Sequence, residues 1–114
     1  MPEISGIIRL DRSDDLSDAR VIVSLDDVTN VDAAARPCAH ISFLFTAVGV
    51  QTIPFRLDVP ASAYARRCTL SVEIHRDGSW ELQRGDYRNI EAYSLNGAGS
   101  GLVVKVRRID TVTP

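Results

Sequence analysis

Apolar and polar residues alternate with a period of two in run after run along this chain, and no long stretch shows helical periodicity. Successive side chains of a strand point to opposite faces, so each run describes a strand with one buried and one wet face. Glu3 to Leu10 is the first. Ala19 to Val28 follows with Val21, Val23 and Leu25 on one face, and Cys38 to Thr46 with Ile41, Phe43 and Phe45. Val50 to Val59 turns Ile53, Phe55 and Leu57 inward, Cys68 to Arg76 does so with Leu70, Val72 and Ile74, and Gly101 to Ile109 with Leu102, Val104 and Val106.

The segments between these runs carry turn chemistry. Asp11 to Asp18 is polar and reads as a link between the first two strands. Gly49 marks a turn that makes a hairpin of its two flanking runs, and Asp77-Gly78 is a tight-turn signal leading into a strand at Trp80 to Gln83. Pro54 cannot donate to a sheet ladder, so its strand is expected at an edge or bulged. Pro60 to Arg67 has room for one helical turn, Arg84 to Leu95 reads as irregular or a short strand, and Asn96 to Gly101 as a loop. The expectation is an all-β fold: a two-sheet β-sandwich of about seven antiparallel strands with one short helical turn, residues 1–114 forming one domain.

A chain of 114 residues can bury roughly 65% of the surface that its unfolded form exposes, enough for an ordinary core. Apolar residues make up 45% and charged residues 25%, the balance of a globular protein. With a net charge of −2 and dispersed Lys and Arg, the chain has no nucleic-acid footprint, so no nucleic-acid partner is expected. No apolar run approaches the length of about 20 residues that a spanning helix needs, so no transmembrane segment is expected. Met1-Pro2-Glu3-Ile4 has neither a basic nor an apolar leader region, so no signal peptide is expected there. The expected location is cytoplasmic if that N-terminus is native, and periplasmic or envelope if a leader was removed.

The chemistry is sparse. Gly97-x-Gly99-x-Gly101 precedes a strand, whereas a phosphate cradle follows a strand and opens a helix. Arg84-Gly85-Asp86 and His75-Arg76-Asp77 match an adhesion tripeptide and part of a kinase loop without any accompanying element. Asp11, Asp14, Asp15 and Asp18 lack the glycine and spacing of a calcium loop. No metal site and no cofactor are expected. Cys38 and Cys68 are two small apolar side chains or a disulfide, and on a regular strand His40 shares a face with Cys38, the one nucleophile–base arrangement worth testing. Trp80, Tyr87 and Tyr93 are candidates for an exposed binding platform.

Spaced positions along the chain resemble the YbaY/YscW family of small bacterial lipoproteins, some of which are pilotins for type III secretion secretins. The similar positions are Ile4-Ser5-Gly6 with Ile7 and Ile8; Leu25, Asp27, Val28, Thr29, Asp32 and Ala33; Ile53-Pro54-Phe55-Arg56-Leu57; and Cys68 to Ile74 followed by Asp77-Gly78. The resemblance spans Ile4 to about Ile109. It implies an immunoglobulin-like sandwich without enzymatic activity, acting through protein contacts at the cell envelope. Cys38 and Cys68 both begin strands, so neither matches the family's lipidated cysteine near the N-terminus. The leading expectation is a module that binds a protein or peptide partner, with the flank from Trp80 to Tyr93 favoured over the Pro54 edge. The alternative is a small enzyme or small-molecule carrier with its site between the sheets.

Overall fold

The computed structural model describes residues 3–29, 36–60, 67–90, 93–94 and 100–110. Its described strands are β1 (Glu3–Asp27), β2 (Arg36–Asp58), β3 (Cys68–His75), β4 (Tyr87–Asn89), β5 (Tyr93–Ser94) and β6 (Leu102–Arg108). They form one sheet in the order β2-β1-β6-β4-β3-β5, and a further pairing of β1 with β3 closes it. The closed unit is a four-stranded barrel of β1, β6, β4 and β3, with β2 and β5 as additional strands.

This corrects the expected immunoglobulin-like two-sheet sandwich. Closure depends on β1 being long enough to serve two neighbours in succession. Its first half pairs in parallel with β6, from Gly6 opposite Leu102 to Leu10 opposite Val106. Its second half pairs antiparallel with β3, from Arg20 opposite His75 to Asp27 opposite Cys68. A parallel pair inside the barrel departs from the all-antiparallel expectation.

The polar segment 11–18 is therefore a bend within one strand and not a link between two. Register along β2 shifts between Arg9 and Asp14, between Asp14 and Leu16, and between Leu16 and Ala19. Across this bend the buried positions change from even (Ile4, Ile8, Leu10, Leu16) to odd (Ala19, Val21, Val23, Leu25). An odd insertion flips every later side chain to the other face, so the bulged bend is what keeps both halves facing the core. Asp18 takes a φ of 50°, a left-handed conformation that a short polar side chain tolerates.

Gly49, with φ 64°, lies opposite that bend, and β2 runs through it without reversing. The hairpin expected there is corrected to two halves of β2 that both lie along β1. The Asp77-Gly78 turn forms, closed by a 3.0 Å bond from the Gly78 amide to the His75 carbonyl. Its return strand is β4 rather than Trp80 to Gln83, which is loop. No helix occurs among the described residues, and residues 61–66 of the expected helical turn lie outside them. Pro54 sits on β2, at an edge of the sheet as expected.

The alternating residues fill the interior. Ile4, Ile8, Leu10, Val21, Val23 and Leu25 of β1 meet Leu70, Val72 and Ile74 of β3 and Leu102, Val104 and Val106 of β6, with Tyr87 fully buried among them.

Candidate functional site

The loop 76–86 is held onto the barrel by a polar network. Asp86 is buried and accepts backbone hydrogen bonds from Arg76 (2.8 Å) and Gln83 (2.7 Å). The Gly85 amide donates to the Ile109 carbonyl at 2.8 Å. His75, also buried, has Nδ1 2.8 Å from the Ser79 carbonyl and Nε2 2.8 Å from Glu73 Oε1. Both of its nitrogens thus face acceptors. The Ser79 hydroxyl donates to the Glu81 carbonyl, so Ser79 meets this histidine through its backbone and not as a nucleophile. Amide and hydroxyl contacts from Ser79, with Gln83 adding another, hold the Asp77 carboxyl below its usual range.

The three aromatics singled out in the sequence are not brought together. Trp80 is exposed, and its ring carries the Arg20 guanidinium 3.9 Å from the centroid, while Arg20 Nε donates to the Gly78 carbonyl. Tyr87 is 0% exposed, and its hydroxyl donates to Asp14 Oδ2 at 2.8 Å. Tyr93 is half-buried against the core opposite Leu70, whereas Tyr87 lies opposite Ile74, about 13 Å along β3. Trp80 remains the exposed member.

Cys38 is the extra residue of a bulge, between Pro37 opposite Asp26 and Ala39 opposite Leu25. The bulge breaks the alternation that put His40 on the face of Cys38; His40 is exposed beside Ser24. Cys38 Sγ lies instead 3.9 Å from Cys68 Sγ, joining β2 to β3. The four aspartates of the bend are used separately. Asp11 pairs with Arg12, Asp14 takes Tyr87 and Arg76, Asp15 takes the Gly49 amide, and Asp18 meets Thr46. In Arg84-Gly85-Asp86, the buried Asp86 already accepts two amides and is turned away from outside ligands.

Sequence reasoning missed the feature that distinguishes the outer surface. Arg88 of β4 lies directly opposite Arg107 of β6, and Lys105 of β6 lies beside Arg9 of β1. All four are exposed, and none makes an ion pair with a described residue. Two carboxylates at the border are engaged elsewhere, Glu73, opposite Arg88, with His75 and Asp11 with Arg12, while a third, Asp110, is exposed just past the end of β6. Where β4 meets the end of β6, a groove of about 340 Å³ is lined by Arg88, Asn89, Ile90, Arg107, Arg108 and Asp110. The sequence signal was present in Lys105 and Arg107, at outward positions of the last run, whereas Arg88 lies in the stretch Arg84 to Leu95 that reads as irregular or a short strand. Only the β6–β4 and β1–β6 pairings bring them together.

No family model and no curated protein matches this chain. Among solved structures it is similar to an alternative pilotin from the type II secretion system of Vibrio cholerae, at 22% identity and a TM-score of 0.77. The match covers 96% of this chain and 97% of that one, so the fold is pilotin-like from end to end.

Proposed function

We propose that this protein is a non-enzymatic, pilotin-like module that binds a protein segment of a secretion-channel partner, a secretin, at the bacterial envelope. The observation that carries this reading is the likeness of almost the whole chain to the alternative pilotin. The residues that resemble the YbaY/YscW lipoproteins, Ile4-Ser5-Gly6 and Ile53-Pro54-Phe55 among them, support the same direction. The barrel interior is occupied by core side chains, and the groove beside β4 opens at the surface, an arrangement suited to docking a chain segment.

The test is co-expression with the secretin subunits of the same genome, followed by native purification and counting of assembled secretin with and without this protein. Co-purification and a loss of assembled secretin in the deletion strain are expected. Failure to co-purify together with unchanged assembly would overturn the reading.

A further inference from the structure

We propose that the outer face of β1, β6 and β4, carrying Arg9, Lys105, Arg107 and Arg88, docks an extended acidic segment of a protein partner. This deepens the partner-binding reading above and rests on it. Arg88 is the cross-strand partner of Arg107, and Arg9 of Lys105, so two like-charge pairs sit side by side on one face. Like charges placed directly opposite one another destabilise a sheet. Folding alone therefore opposes these two pairings, offset at Arg88 by Glu73 on its other side, in a chain whose net charge is −2 and whose acids outnumber its bases. A bound anion would relieve the repulsion.

The geometry selects the form of that anion. Lys105 and Arg107 are two positions apart on one strand, about 7 Å, which is the spacing of alternate carboxylates along an extended peptide. Arg9 and Arg88 flank them on the neighbouring strands, each about 5 Å away, so both sides of such a segment meet cations. The planar guanidinium groups suit bidentate capture of carboxylates. Exposed Ile90 and Val103 border the cations and offer apolar contact to the residues between the carboxylates. The concave end of the face, a groove where Arg88, Arg107 and Arg108 outweigh the single carboxylate of Asp110, fits a chain better than a flat membrane surface.

The experiment measures fluorescence anisotropy of a labelled short peptide alternating Glu and Thr, with a Gln-for-Glu peptide as control, against the full chain and its Arg88→Gln/Arg107→Gln variant. Binding of the acidic peptide alone is expected, falling with added salt and weakened about tenfold or more in the variant. The variant is expected to melt no lower than the parent, because like-charge repulsion has been removed. Equal binding by parent and variant would overturn the proposal. So would preferential binding of phosphatidylglycerol vesicles or of an oligonucleotide, each titrated in parallel. If the variant keeps full affinity for a secretin that the parent captures, this surface is wrong and the pilotin-like reading stands. If the acidic peptide binds through Arg88 and Arg107 while no secretin does, the surface stands and the identity of the partner falls.

Discussion

The Tyr87 hydroxyl donates a 2.8 Å hydrogen bond to Oδ2 of Asp14, a residue 73 positions earlier, tying β4 to the bend of β1. Burial, the hydrogen bond to Asp14 and the charge of that carboxylate push the Tyr87 hydroxyl up to about 12 from 10.0. The folded state thus holds this proton more tightly than the unfolded state. Its contribution to stability is complete below pH 10 and is lost as pH rises toward 12, of the order of 2 kcal/mol over that window. Denaturant melts between pH 9 and 12 should show this decline in the parent and a shallower one in Tyr87→Phe.

Gly6 stands at the parallel seam between β1 and β6. A Cβ built there meets the backbone of Leu102, with the carbonyl carbon at 2.7 Å, and backbone does not yield as a flexible side chain does. Gly6→Ala is expected to lose about 2 kcal/mol or more, read as a lowered midpoint in urea. The same change at Gly101 meets nothing within 4 Å, although its φ of 71° strains any side chain, so the two variants separate steric closure from backbone strain.

Asp86 satisfies two backbone amides from within the fold. Asp86→Ala leaves both without that acceptor and should cost about 2 to 4 kcal/mol, with increased hydrogen exchange at the Arg76 and Gln83 amides. Asp86→Asn retains one acceptor oxygen and should fall between the two.

Cys38 and Cys68, with sulfurs 3.9 Å apart, are close enough for a small closure to a disulfide of about 2 Å. With oxidised glutathione, two thiols become one disulfide as the oxidant is reduced to two glutathione thiols. The product is expected to weigh about 2 Da less and to be more stable by about 3 kcal/mol, since the bridge closes a loop of some thirty residues. Intact mass and melting curves with and without reductant check both. Oxidation that yields only glutathione adducts would exclude the bridge.

The inward faces were legible because they depend on a local property, the period of two. Leu70, Val72 and Ile74, and Leu102, Val104 and Val106, are buried as their alternation indicates. The turn at Asp77-Gly78 was legible for the same reason. Gly49 and the aspartate-rich stretch were not, because a glycine with positive φ or a polar interruption serves a bend within a strand as well as a reversal. Among the candidate site residues, Trp80 is exposed and Tyr87 is buried, a difference the sequence does not carry because a tyrosine's place depends on which strand covers it.

By itself, then, the sequence determined that the protein is made of strands and which side chains of its alternating runs face inward. The tertiary structure decided that the sheet closes on itself, that β1 runs parallel to β6, and that Arg88 faces Arg107 and Arg9 faces Lys105. The reason is the range of the interactions. Side-chain alternation is fixed within a few residues, whereas strand pairing joins backbone edges far apart in the chain, and those edges carry the same amide and carbonyl groups whatever their sequence.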